Sequence, residues 1–534
     1  MKNLKSIYAL LLLLVAMSFN ATAQGPNPNV AKKGKLTEIQ LKRWSHLDMG
    51  KDSIPGMSID KMYAELIKDK KGKKVVVGIV DSGVDIDHAD LKSIVWTNAK
   101  EIPNNGIDDD NNGYIDDVHG WNFLGDVDGE NLELTRIVKK GDDGSATYAK
   151  AKAQYDRKMT GLLANKKQVD DVENATKVLA NYFKKEDFTI DEVKAIVSDD
   201  AEINKSKEVI VKIGKSGTEF NTKFKKFKDQ VYNQLNFNYN LEFDGSKIVG
   251  DNRTDMTNKS YGNNIVYGPS KTSALHGTHV AGIIGQVRDN NLGGDGIANN
   301  VEIMSVRAIP NGDEYDKDVA LAIRYAVDNG AKVINASFGK DYSPNKEWVY
   351  DAIKYAESKD VLIIHAAGND SKDIDVESNF PNDSDDKINE FADNVITVGA
   401  LNFEYGEKVV ANFSNYGKQN VDVYAPGVKI YATTPNDEYQ YLQGTSMASP
   451  NVAGVAAMIR SYYPNLTAKE VKSIIMNSGM AIEGDVIVGG KADDKRPFSS
   501  LSRTGKIVNG YNAMVMAEEM SKKPKKMKMN KVKG

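Results

Sequence analysis

Residues 75–85 read Val75-Val76-Val77-Gly78-Ile79-Val80-Asp81-Ser82-Gly83-Val84-Asp85. A run of β-branched apolar residues stops at an acid and a Ser-Gly turn. That is the pattern of a buried parallel strand presenting Asp81 at its carboxyl end. In open α/β sheets, ligands and chemistry sit at that end. An acid there also serves as a turn or helix cap, so this stretch alone leaves the role of Asp81 open. Two distant stretches add to it: His276-Gly277-Thr278-His279-Val280-Ala281-Gly282 and Gly444-Thr445-Ser446-Met447-Ala448-Ser449-Pro450. Together they give an acid, a base and a nucleophile in the chain order Asp81, His276, Ser446.

The strand pattern recurs at 301–306, 331–339, 361–369, 395–400 and 421–426, with helical periodicity at 316–329 and 347–359 between them. This alternation predicts an α/β fold, a doubly wound, mostly parallel sheet with helices on both faces. The sheet is interrupted. Residues 127–240 are rich in Lys and Glu, poor in Gly and helical in period, with helices predicted at 148–167, 169–185 and 190–196 and breaks at Gly144 and Gly217. They read as an inserted α-helical subdomain. Loops at the catalytic end of a sheet lie near the cleft, so the insertion is expected to gate large substrates more than small ones.

The catalytic unit is therefore split into 74–126 and 241–515. Residues 1–23 carry Lys2 and Lys5, an apolar core and Ala21-Thr22-Ala23, the pattern of a signal peptide. Export is expected, to periplasm or medium, with no membrane-spanning segment once the signal is removed. Residues 24–73 form an N-terminal extension with short helices, and 516–534 a basic tail expected to be disordered. In this chain of 534 residues the net charge is only -4, which gives no ground for nucleic-acid binding. There is no Cys, so an exported chain must take its cross-links from something other than disulfides, such as a metal. Nothing in the sequence sets the oligomeric state. His88 is expected on a surface loop.

A serine hydroxyl is a poor nucleophile until a base takes its proton. Ser446 sits at a Gly turn that enters an apolar helix running to about 463, whose N-terminus offers free N–H groups and a positive dipole to a developing oxyanion. Read blandly, Ser446 is an N-cap. His276, beside Gly277, is the candidate base; His279, one turn on, reads as a packed structural histidine. Asp81 would hold the imidazole tautomer. Asn369 follows Ala366-Ala367-Gly368 at a strand end, where its amide is placed to donate to an oxyanion or merely to close a turn.

These blocks resemble the subtilisin-like serine proteases (subtilases), whose chain order is Asp, His, Ser. The resemblance covers about 55–125 and 245–515 and implies endopeptidase activity on protein or peptide substrates, with no cofactor for catalysis. It also implies that Ser337, Phe338 and Gly339, together with Ala366, Ala367 and Gly368, flank the substrate chain and the P1 pocket. Asp90 matches a position that binds calcium in many subtilases, although the partner loop before His276 differs. The 24–73 segment is short for the family's inhibitor-type propeptide. Two other functions are weighed against the protease: a catalytically silent, calcium-stabilised binding protein on the same scaffold, and an esterase.

One stretch calls for a metal independently of the family. In Asp108-Asp109-Asp110-Asn111-Asn112-Gly113-Tyr114-Ile115-Asp116-Asp117, Asp108, Asp110 and Asn112 occupy the first, third and fifth places of an EF-hand-like loop. Tyr114 would add its carbonyl and Asp116 the ninth place. His119 stands where an EF-hand has Glu, so this is not a true EF-hand. A solvated Asn/Asp turn is the alternative. Carboxylates this dense repel one another without a cation, so a structural Ca²⁺ is expected.

Overall fold

The computed structural model describes residues 35–214 and 218–523; the expected signal peptide, Gly217 and most of the basic tail lie outside the described residues. Seven strands carry the sheet: β1 (Val75–Asp81), β2 (Gly120–Asn122), β3 (Val301–Arg307), β4 (Val333–Ala336), β5 (Leu362–Ala366), β6 (Val395–Leu401) and β7 (Val423–Pro426). They lie in the order β7-β6-β5-β4-β1-β3-β2, all parallel, and two short C-terminal strands continue the sheet past β7. The chain fills one side of β1 with β2 and β3, then crosses to β4 and moves outward. The order therefore reverses around β1, and Asp81 stands at the switch point, where a crevice forms in such sheets.

The alternation of β1 explains its place in the middle. Val75, Val77 and Ile79 face one core, with Val280 and Ile284 of the helix Leu275–Gly285 and with Val452 and Val455 of the helix Thr445–Tyr462. Val80 faces the other, with Ala322, Tyr325 and Ala326 of the helix Asp316–Asp328. Both faces of the sheet are covered, as a parallel sheet requires.

Three expectations change. The helices predicted at 148–167 and 169–185 are one helix, Ala146–Phe183, because nothing near Gln168 breaks the backbone pattern. The basic tail does not begin at 516: the helix Gly510–Ser521 runs through that position and buries Ala513, Met514 and Ala517, so apolar spacing outlasts the rise in charge. His88 is not on the surface. Its ring is fully buried, with Nδ1 accepting from the Asp90 N–H (3.1 Å) and Nε2 placed to donate to the Glu438 carbonyl (3.2 Å). The described part of the N-terminal extension is built into the core through Trp44, Met57, Ile59 and Met62. Trp44 donates to the Val428 carbonyl, and Gly510 donates to that of Met57.

The insertion is a helical body with its own apolar clusters, one around Leu179, Val193 and Ile210 and another around Leu162, Val169 and Val231. Its roots are stitched to the catalytic unit. Residues 128–131 run alongside 311–313, with Glu130 N donating to the Asn311 carbonyl (3.1 Å) and Asn311 N to that of Asp128 (2.8 Å). Among the described residues, no helix is long and apolar enough to cross a membrane.

Candidate active site

Asp81 ends β1 with its carboxylate buried, and its Oδ1 accepts from the Ser82 N–H and from His276 Nδ1, both at 2.7 Å. His276 is the second residue of the helix Leu275–Gly285. That helix comes this close because of Gly277: a Cβ there would lie 2.1 Å from the Gly83 carbonyl oxygen. The imidazole remains 37% exposed to the cleft. Burial works to lower its pKa, but the charge and hydrogen bond of Asp81 outweigh it and the net shift is upward. His279 behaves differently. It is fully buried with Nε2 against the carbonyls of Ile430 and Gln440, and burial lowers its pKa to about 4.

Ser446 is the second residue of the helix Thr445–Tyr462 and is half-buried. Pro450 lies in that helix and lacks the N–H that would bond the Ser446 carbonyl four residues back. The freed carbonyl accepts instead from Ser337 Oγ (2.9 Å), which Asn335 orients in turn (2.8 Å). Ser449 ties Asn335 to the same helix at 2.8 Å. A proline thus turns a helix defect into a clamp on the Ser446 backbone. The Ser446 hydroxyl donates to the Ser337 carbonyl at 3.2 Å, so in this state it is not bonded to His276.

Asn369 follows the Gly368 turn. Gly368 has φ +102°, and a Cβ there would lie 2.3 Å from Asn415 Nδ2, so only glycine fits. Asn369 Oδ1 accepts from Thr445 N (2.8 Å) and Thr445 Oγ1 (3.0 Å). This fixes the amide's orientation and leaves the Nδ2 hydrogens for the cleft. Asp81, His276, Ser446 and Asn369 line one cleft of about 520 Å³, with Ser337, Phe338, Gly339, Ala366 and Gly368 in its walls. Ala367 is not in the lining; it is fully buried behind it.

Hydrogen bonds within the loop hold the acidic stretch together. Asp108 accepts from the N–H groups of Asn112 and Gly113 in its own turn, and Asp116 reaches back across the loop to those of Asn105 and Gly106. The Tyr114 ring is buried against Trp121, Phe123 and Tyr325, and Asn112 Nδ2 donates to Asp117. The carboxylates that converge are Glu101, Asp110 and Asp117, with ligand atoms within 4.8 Å of one another. Glu101 Oε2 is buried there without a hydrogen-bond partner, and burial pushes Asp117 up to about 6 despite bonds from Tyr325, Asn112 and Asn98. Three clustered carboxylates with one orphaned oxygen suit a hard divalent cation. Asp90, by contrast, is satisfied by Val287 N, Asn290 Nδ2 and Tyr439 OH.

Sequence reading missed Thr445, Asn335 and Ser449 as positioning residues, and Glu101 and Asp117 in the acid cluster. Asp117 was within reach, as the second acid of the Asp116-Asp117 pair. Glu101 carried no signal, because it lies before the acidic run.

The sheet, the switch-point crevice and this set of side chains define the protein as an α/β protein with a serine-hydrolase-type site. The match with a family model sharpens this: residues 72–505 match the Subtilase family (peptidase S8), and the chain belongs to that family. It is 40% identical over 210 residues to a thermophilic serine proteinase of Bacillus sp. (strain AK1), covering 39% of this chain and 48% of that protein. Thermitase of Thermoactinomyces vulgaris shares 36% over 210 residues, covering 39% of this chain and 68% of its own. Subtilisin DY of Bacillus licheniformis shares 35% over 219 residues, covering 40% and 74%. The chain thus spans about half the length of the first of these relatives.

Proposed function

We propose that the protein is an exported serine endopeptidase that cleaves peptide bonds through an acyl-enzyme. The observation that carries this reading is the 2.7 Å contact of His276 Nδ1 with Asp81 in the cleft that also holds Ser446 and Asn369. Nδ1 carries the proton donated to Asp81, so Nε2 is the basic nitrogen. Substrate entry would turn the Ser446 hydroxyl from the Ser337 carbonyl toward Nε2, which takes its proton as Oγ bonds to the scissile carbon. The new oxyanion would lie between Asn369 Nδ2 and the Ser446 N–H at the start of the helix, since the Thr445 N–H is taken by Asn369 Oδ1. Collapse passes the proton from His276 to the leaving amine, and water, deprotonated by the same imidazole, releases the acyl group. Export follows from the 1–23 segment. A serine-reactive fluorophosphonate combined with a peptide-versus-ester substrate screen tests the proposal, with Ser446→Ala as control.

Calcium is proposed as a structural ion, held by Glu101, Asp110 and Asp117 rather than by the five residues of an EF-hand-like register. A ligand bound only by the native state stabilises it by about 2.7 kcal/mol at a hundredfold excess over Kd. Calcium should therefore raise Tm, and chelation should promote self-digestion through local opening. Asp110→Ala and Glu101→Gln should each remove most of the calcium-dependent rise while Ser446 stays reactive toward a small serine probe. A melting curve indifferent to calcium and chelator would return the loop to a solvated turn.

A further inference from the structure

The loop that leaves Asp81 reaches Asp85, whose side chain is only 1% exposed. Segments leading to both His276 and Ser446 meet on it. Lys271 stands in the short turn Lys271–Ala274 that enters the His276 helix. Its ammonium lies 2.8 Å from Asp85 Oδ1 and donates to Asp87 Oδ2 at 2.7 Å. Asp85 Oδ2 accepts from the Asn436 N–H at 2.9 Å. Asn436 sits at the tip of the antiparallel hairpin of Ile430–Thr434 and Glu438–Leu442, whose second strand runs into Gly444 and Ser446. From the His276 helix itself, Thr278 Oγ1 accepts the Asp85 N–H at 2.9 Å. Asp85 is therefore joined to the approach to His276, to the helix that carries it and to the approach to Ser446, while its own loop carries Asp81. Burial works to raise its pKa, but the bonds from Lys271 and the Asn436 N–H outweigh it, and the carboxyl is held below its usual range. Neither Asp85 nor Lys271 lines the cleft.

We infer that Asp85 and Lys271 are positioning residues, an ion pair that holds in one frame the segments carrying Asp81, His276 and Ser446; the inference rests on the reading of the cleft as a peptidase site. The whole insertion separates Asp81 from His276 in the chain, and with no Cys no disulfide can close the gap. Gly277 packs against the Gly83 carbonyl with no space for a Cβ, so a shift in the approach to His276 moves the imidazole against Asp81. Misplacing reacting groups by about 1 Å costs on the order of 10²-fold in rate. Removing the ammonium leaves a buried carboxylate without its cation, a cost the loop relieves by shifting toward water. Neighbouring ties stay in place: Gly277 N–H to Ser82 Oγ (3.3 Å) and Ala89 N–H to Asp437 (2.6 Å). The frame therefore drifts without unfolding. A strut that only supports the fold lowers Tm and spares kcat. A positioning pair lowers kcat and spares KM.

The test uses the full chain, one peptide amide substrate and the variants Lys271→Met, Lys271→Arg, Asp85→Asn and Asp87→Asn, each checked for folding by circular dichroism. Lys271→Met and Asp85→Asn should each lower the plateau kcat about tenfold with KM within about twofold, because the loss falls on geometry and not on binding. Lys271→Arg keeps a cation that bridges both carboxylates and should recover kcat to within about threefold of wild type. Asp87 is an exposed partner, so Asp87→Asn should leave kcat within about twofold. In Lys271→Met the acid limb of the pH profile should move by less than about 0.3 unit, since Asp81 is the charge that raises His276. Folded Lys271→Met and Asp85→Asn proteins with kcat within about twofold of wild type overturn the inference. A shifted acid limb with an unchanged plateau does so too, and makes Lys271 a distant charge only. Loss of the fold in both variants also overturns it, leaving the pair a strut. A wild-type chain that cleaves no peptide overturns the protease reading itself, and this inference with it.

Discussion

Replacing His276 by Ala is expected to lower kcat/KM by several orders of magnitude, about 10⁴ or more, because the nucleophile loses its only base. His279→Ala should leave the chemistry standing and lower Tm, since that ring is a buried strut between the carbonyls of Ile430 and Gln440. Reversed phenotypes would exchange the two roles. The pH profile of kcat/KM gives a finer test. Asp81 raises the His276 pKa, so the imidazolium persists above the ordinary value near about 6.5, and activity falls as pH drops through that higher value. The sign for stability is opposite: the imidazolium–Asp81 pair stabilises the fold below the unfolded pKa, and this contribution is lost as pH rises through the folded one. Asp81→Asn should shift the acid limb of the profile to lower pH and reduce its plateau.

Asn369→Ala is expected to reduce kcat by about 10²–10³ with KM nearly unchanged, a magnitude taken from another protease of this family rather than from this geometry. The amide acts on charge that exists only in the transition state. The structure adds a second expectation. Asn369 Oδ1 also caps the Ser446 helix through Thr445, so the Ala variant should lose about 1 kcal/mol of stability. Asn369→Asp keeps that acceptor and removes the donor, so it should retain Tm near neutral pH while losing kcat. A pure KM effect in both variants would place Asn369 in ground-state binding.

The candidate site was legible in the sequence because three of its side chains sit at the junction of an apolar run and a glycine turn. β1 ends at Asp81, β5 leads to Gly368-Asn369, and Gly444 precedes Ser446. Those junctions are local, and local patterns survive in one dimension. What escaped depends on distant partners. His88 reads as polar and loop-bound, yet it is buried because the Glu438 carbonyl, 350 residues away, meets its ring. The burial of Lys340 is likewise set by partners distant in the chain, Glu133 and Asp316. The acidic stretch announced its charge density but not its geometry: Asp108 faces backbone donors of its own turn, Asp116 faces those of Asn105 and Gly106 across the loop, and Glu101, outside the run, completes the cluster. The consequence of Pro450, a Ser446 carbonyl freed for Ser337, likewise depends on that distant partner.

In the proposed mechanism Ser446 is a nucleophile activated by His276 and Asp81 for peptide hydrolysis. The most direct measurement is covalent labelling of the folded, calcium-supplemented full chain by a fluorophosphonate, with the modified residue located by peptide mass mapping and peptide turnover followed in the same preparation. A single label on Ser446 is expected, with loss of peptide hydrolysis in proportion to labelling and neither labelling nor hydrolysis in Ser446→Ala. A folded wild-type chain that takes no label and cleaves no peptide would contradict it and leave a catalytically silent binding protein on this scaffold.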